Sequence, residues 1–116
     1  MKFSSSLKLN HIFQRLYRSH GQANGLLVLY ARPNRTGKNR VGITVSKKLG
    51  HAVVRNRVRR RLREVYRLNE SRFQPGWDIV VVARSRCISA SFQEIVNAYL
   101  TLAHKAGILR PDTQQL

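Results

Sequence analysis

Residues 42–67 read GITVSKKLGHAVVRNRVRRRLREVYR, and inside this stretch the spacing of the apolar residues changes from that of a strand to that of a helix. VGITVS, residues 41–46, is rich in β-branched residues and reads as a strand. Gly50 then breaks the chain. Beyond it, at 100° per residue, Val54, Val58, Leu62, Val65 and Tyr66 fall on one stripe, while Arg59, Arg60, Arg63 and Arg67 lie together on the opposite side. Arg55, Arg57 and Arg61 are read at the borders of that stripe. The segment is therefore an amphipathic helix with one face made for a core and one face cationic.

Working outward, Asn10 is positioned to cap a first helix in which Ile12, Phe13, Leu16 and Tyr17 recur at helical spacing and Gly21 supplies the stop. LLVLYAR, residues 26–32, reads as a strand, and PNRTGKNR between it and residue 41 carries turn residues, so the two strands are expected to pair as a hairpin. After the Pro75-Gly76 turn, WDIVVVAR at 77–84 reads as a buried strand. Ser91 and Glu94 stand in capping-box spacing ahead of a last helix, whose apolar face is Phe92, Ile95, Val96, Tyr99, Leu102, Ala103 and Ala106 and whose end is Gly107. The order is α-β-β-α-β-α, with room for a small extra strand near Gln22 to Gly25. Phe73, Trp77 and Phe92 border elements that need covering and are assigned to the core or its edge. One domain spans 1–116, and residues 1–6 and 111–116 are expected to be flexible ends.

Six arginines occupy the nine positions from Arg55 to Arg63, and the whole chain carries 22 Lys and Arg against 5 Asp and Glu, a net charge of +17 on 116 residues. Such a chain needs an anionic partner. Its longest apolar runs fall far short of the ~20 residues that cross a bilayer, and the amino terminus lacks the apolar stretch of a secretory signal, which points to the cytoplasm and away from a membrane. Cys87 is the single cysteine, read as a small buried thiol. On the basic helix, Arg55/Arg59, Arg57/Arg61, Arg59/Arg63 and Arg63/Arg67 are like-charged i,i+4 pairs costing ~0.2–0.5 kcal/mol each. A merely solvated face would mix signs, whereas phosphates release counterions on binding and match the two-pronged donors of arginine. Neither zinc ligands nor a basic-zipper heptad extension accompanies the helix, so RNA is favoured over DNA.

These residues resemble the protein subunit of bacterial ribonuclease P, whose signature is an R-N-R-x-x-R core after an S-K-K-x-G turn. The likeness extends to LKLNHIFQRLYRSHG, ANGLLVLYARPN and WDIVVVAR, four blocks in the family's order. His51 departs from it, standing where many relatives carry Asn. The resemblance implies an α/β (α+β) two-layer sandwich, a mixed four-stranded sheet packed by helices in the order α-β-β-β-α-β-α, of the ribosomal protein S5 domain 2-like kind. It also implies a left-handed βαβ crossover, where the general rule for parallel strands is right-handed.

The implied function is to assist a catalytic RNA in removing the 5′ leader from precursor tRNA, with Mg²⁺ required by the RNA subunit and no cofactor assigned to the protein. By the same resemblance, Arg55, Asn56, Arg57, Arg60 and Arg63 match the family's motif and contact the ribonuclease P RNA, and Phe13, Tyr17 and Tyr30 line a cleft for the single-stranded leader. Ser46, Lys47 and Lys48 extend the RNA-binding patch from the strand end, and Arg59 and Arg67 belong to it on the cationic helix face. From the residues alone, Phe13 and Tyr17 would simply be core. Aromatic stacking suits a leader because it accepts any base. Asn56 either touches RNA or binds backbone groups near the helix start. Arg32, Arg35, Lys38 and Arg40 form either a second phosphate contact or a solubilising loop. The five acids, Glu64, Glu70, Asp78, Glu94 and Asp112, are scattered, as are the four histidines, so no catalytic residue and no metal ligand is assigned. The rival reading is a ribosomal or other structural RNA-binding protein.

Overall fold

The computed structural model describes residues 4–6, as backbone only, and 21–111. Five strands form one sheet: β1 (Ser4–Ser6), β2 (Gln22–Ala23), β3 (Leu27–Pro33), β4 (Asn39–Thr44) and β5 (Trp77–Ala83), in the spatial order β1-β4-β5-β3-β2. Two described helices, α1 (Ala52–Asn69) and α2 (Phe92–Lys105), follow β4 and β5. The sheet is mixed, with β5 parallel to β4 and antiparallel to β3. The expected first helix, with Phe13 and Tyr17, lies outside the described residues.

The four strands read from the sequence are present, but the hairpin is not. β3 and β4 do not pair; β5 lies between them. The reason is burial. Ile79, Val80 and Val81 are all fully covered, and a strand apolar on both faces belongs at the centre of a sheet, with the more amphipathic β3 and β4 beside it. Residues 34–38 are long enough to cross two strand spacings of ~4.8 Å, and Asn34 is pinned on the way by a 2.8 Å bond from its N–H to the Gly76 carbonyl. Ser4–Ser6, expected to be a flexible end, pairs in parallel with Asn39, Arg40 and Val41 of β4. Main-chain pairing at a sheet edge needs no apolar pattern, which is why the sequence showed none. Residues 112–116 lie outside the described range.

Register separates the two faces of the sheet. Leu27, Leu29, Val41, Ile79, Val81 and Ala83 share one core with Val58, Leu62, Val65 and Tyr66 of α1 and with Ile95, Tyr99, Leu102 and Ala103 of α2. Tyr30 alternates to the other face, in the same rows as Val80 and Gly42. Phe73 is buried and stacks at a tilt on Tyr66, ring centroids 4.9 Å apart, and edge-on to Tyr99 at 6.1 Å. Trp77 and Phe92 are half-buried against this cluster. The Ser91–Glu94 capping box forms as read, through Glu94 N–H to Ser91 Oγ at 3.1 Å and Ser91 N–H to Glu94 Oε1 at 3.0 Å, and Gly107 takes a positive φ of 75° just past the helix end. Cys87 is buried, which pushes its thiol pKa up while Arg61 opposes the shift. Neither described helix is long and apolar enough to cross a membrane.

The hydroxyl of Tyr99 is enclosed with no hydrogen-bond partner among the described residues, and burial, aided by nearby Tyr66, drives its pKa up. Removing an unsatisfied buried hydroxyl while keeping the ring leaves the packing and deletes the desolvation penalty. Tyr99→Phe is therefore expected to stabilise the fold by about 1 kcal/mol, read as a higher denaturation midpoint at unchanged m-value. A destabilised variant would mean that the hydroxyl has a partner.

Candidate RNA interface

The basic helix is held in place by the turn before it. Ser46 caps a short 3-10 turn, Lys47–Leu49, by accepting from Lys48 N–H at 3.2 Å, and Gly50 closes the turn with its N–H on the Lys47 carbonyl at 3.4 Å. Gly50 has φ 146°, and a Cβ there would meet Val54 at 3.2 Å, so both the backbone angle and the approach of α1 call for glycine. His51 occupies the N-cap position without a side-chain cap bond, while Arg55 N–H opens the helical ladder on its carbonyl at 3.1 Å. An asparagine there has the short acceptor this position favours, so the departure at His51 costs a cap. Lys47 and Lys48 are exposed on the turn, beside the helix start.

On the outward side of α1 lies an open groove of about 700 Å³ lined by Val53, Asn56, Arg57, Arg59, Arg60 and Arg63. The helix brings four of the predicted arginines into one place. Arg57, Arg60 and Arg63 are exposed and have no ion-pair partner among the described residues. Arg59 is half-buried and donates to Asn56 Oδ1 at 3.2 Å. Asn56 thus orients a neighbouring guanidinium, one helical turn away, and is not bonded to the backbone groups considered from the sequence.

Five other predicted residues do not line the groove: Lys47 and Lys48, exposed on the turn, and Arg67, Arg55 and Ser46. Arg67 is turned to Glu64, its Nε donating to Oε2 at 2.9 Å, and this bond holds the Glu64 carboxyl below its ordinary pKa. Arg55, read at the border of the apolar stripe, is half-buried, and its Nε is enclosed without a partner among the described residues. At 100° per residue it falls between Leu62 and Tyr66, inside the stripe. Ser46 is spent on the turn. Arg61, not assigned a role from the sequence, reaches across to the Ala90 carbonyl at 3.3 Å and ties α1 to the start of α2.

The loop basic residues divide as well. Arg40 holds Asp78 with two bonds, 2.7 Å from Nε and 2.6 Å from a terminal nitrogen, and Asn34 Nδ2 adds a third at 2.9 Å on the buried carboxylate. Arg40 is thus a structural partner and not an open phosphate contact. Arg32, Arg35 and Lys38 remain exposed. Of the acids, Asp78, Glu64 and Glu94 each serve a local bond: Arg40, Arg67 and the α2 cap.

Tyr30, the one residue within the described range that the sequence assigned to a leader cleft, is half-buried on the sheet face away from α1 and α2. Its ring lies against Gly21, where a Cβ would stand 2.7 Å from Cε1. The arginine groove and Tyr30 therefore occupy opposite sides of the sheet.

Residues 1–107 match the family model described as Ribonuclease P. The ribonuclease P protein component of Alkaliphilus oremlandii is 44% identical over 110 residues, covering 94% of this chain and 96% of that one. Among solved structures, the RNase P protein of Staphylococcus aureus superposes with a TM-score of 0.82 at 34% identity, covering 90% of this chain and 97% of that one. That of Thermotoga maritima gives 0.77 at 29%, covering 84% and 93%. The match runs through the arginine helix, the turn before it and the sheet, which sets aside the ribosomal alternative. The chain belongs to the ribonuclease P protein family, the protein component of the endoribonuclease ribonucleoprotein that processes tRNA.

Proposed function

We propose that the arginine groove of α1 docks on the ribonuclease P RNA, and that the opposite sheet face, at Tyr30, receives the 5′ leader of precursor tRNA. The observation that carries the first half is the set Arg57, Arg60 and Arg63, three exposed guanidiniums one helical turn apart with no carboxylate drawn to them among the described residues. Holding them together opposes their mutual repulsion, and phosphate oxygens are the complement that offsets it. Lys47 and Lys48 extend the same positive surface at the helix start. The carboxylates of Asp78, Glu64 and Glu94 are occupied in structural bonds, which supports leaving hydrolysis of the phosphodiester to the Mg²⁺-dependent RNA, in the cytoplasm.

Two-sided binding explains how one small protein assists such a reaction. One side is anchored to the catalyst and the other to a part of the substrate that cleavage removes, so the protein favours precursor over product without touching the reacting bond. The anchor is tested by Arg57→Ala. For each phosphate that is no longer neutralised, the slope of log affinity for the RNA subunit against log salt should flatten by ~0.7–0.9, with weaker holoenzyme assembly and an unchanged circular dichroism spectrum. An unaltered slope and affinity in the folded variant would remove the groove from the interface.

A further inference from the structure

The groove is not uniformly cationic. Val53, 72% exposed, lies at its amino-terminal end, on the same side of α1 as Asn56, Arg57 and Arg60 at the i+3, i+4 and i+7 positions. A β-branched apolar residue gains nothing for the helix there and contributes nothing to a phosphate cradle. Next to it, the amide of Asn56 has a fixed polarity. Arginine can only donate, so the atom facing the Arg59 guanidinium at 3.2 Å is the oxygen, and Nδ2 is left as the outward-facing group. Nδ2 donates to nothing else among the described residues. Along the groove the order is therefore an apolar surface, then a lone hydrogen-bond donor, then cations at a rise of ~4.5 Å per three residues.

That order matches the parts of a nucleotide strand. Resting on the reading of the groove as the contact to the RNA subunit, we propose that its Val53 end holds one unpaired nucleobase of that RNA. Val53 covers part of the base face, and Asn56 Nδ2 donates to an acceptor on the base edge, a ring nitrogen or a carbonyl oxygen. Arg57, Arg60 and Arg63 hold the adjoining phosphates. An A-form duplex buries its base faces in the stack and does not offer one to a side chain, so the site selects a bulge, loop or junction, where bases are splayed out. Arg59 acts on the base only through Asn56: by engaging Oδ1 it keeps the amide turned donor-outward.

The test compares Val53→Ser with Arg57→Ala in the holoenzyme assembled with the cognate ribonuclease P RNA. Because Val53 is so exposed, Val53→Ser leaves the fold intact by circular dichroism. Its affinity for the RNA should fall roughly 3- to 10-fold, the worth of one valine side chain covering a base, with the salt slope unchanged, since no phosphate is released. Chemical probing of base edges in the wild-type complex should reveal one unpaired nucleotide whose protection disappears in Val53→Ser and in Asn56→Ala, while backbone protections persist. Arg57→Ala should instead lower the slope. If Val53→Ser binds and protects like wild type while Arg57→Ala is impaired, the groove holds phosphates alone and the base site is wrong. If neither variant is impaired, the groove itself is not the interface. Protection changes confined to paired nucleotides would overturn the choice of an unpaired base.

Discussion

Asn39→Ala should lower the stability of the protein by about 3 kcal/mol, an effect out of proportion to the size of the side chain. Asn39 is buried, and its amide serves three groups at once. Nδ2 donates to the Tyr66 hydroxyl and to the Gln74 carbonyl, both at 3.0 Å, and Oδ1 accepts from Trp77 N–H at 2.9 Å. These bonds fasten the start of β4 to α1, to the segment before β5 and to β5 itself. Alanine would leave a main-chain carbonyl and a main-chain N–H, both partly buried, without these partners, at about 1–3 kcal/mol each before relaxation. In a domain of this size the loss corresponds to a fall in Tm of more than about 10 °C. In a double-mutant cycle, Tyr66→Phe should cost much less in the Asn39→Ala background than in wild type, because the two share a bond. A fall below about 1 kcal/mol in urea titration would show that the network is not what joins helix and sheet.

The second large effect concerns substrate choice. If Tyr30 stacks on a leader base, Tyr30→Leu, which keeps apolar bulk on the sheet and removes the ring, should reduce the preference of the holoenzyme for precursor over mature tRNA. At ~1–3 kcal/mol per stacked base the reduction is roughly 5- to 150-fold, bounded by the preference that the intact enzyme shows. Affinity for mature tRNA should barely change, because it brings no leader to this face. The effect should also fade when the leader is shortened until it no longer reaches Tyr30. Gly21→Ala provides an independent version of the experiment: its Cβ would stand 2.7 Å from the tyrosine ring, so the ring must shift and the preference should fall without any change to Tyr30 itself. A folded Tyr30→Leu holoenzyme that still separates long-leader from leaderless substrate as wild type does would make Tyr30 a packing residue.

Stability and binding are separable by position. Tyr66, on the buried face of α1, and Asn39, which bonds its hydroxyl, join the helix to the sheet, so their loss acts on the groove by loosening the helix that carries it. Arg57 and Val53 line the groove on the outer side of α1, and their loss is expected to change RNA binding and not the fold. Salt dependence then distinguishes the two within the groove, since only the guanidinium displaces counterions.

Much of this protein is written in local pattern. The change of apolar period at Gly50, the capping box at Ser91 and Glu94, and the continuous apolar run of β5 each depend on residues a few positions apart, and each element forms where the pattern puts it. The cationic face of α1 is legible for the same reason: helical geometry alone places Arg59, Arg60 and Arg63 on one side, whereas Arg57, read at the border of the apolar stripe, joins the groove only in the structure. What the chain could not reveal from local spacing is which strand lies beside which, because the short link between β3 and β4 is equally compatible with a hairpin and with a step over β5. Competition for the buried centre decided it, and β5 had the most apolar surface to hide. The partners of individual charges were hidden likewise. Arg40 and Asp78 are far apart in sequence and meet only because register sets them side by side in the sheet, while Arg55 and Arg67, equal in the sequence to their neighbours, are withdrawn by packing and by Glu64. Spacing along the chain fixes which face a side chain is on; only the assembled core decides whether that face is free to bind.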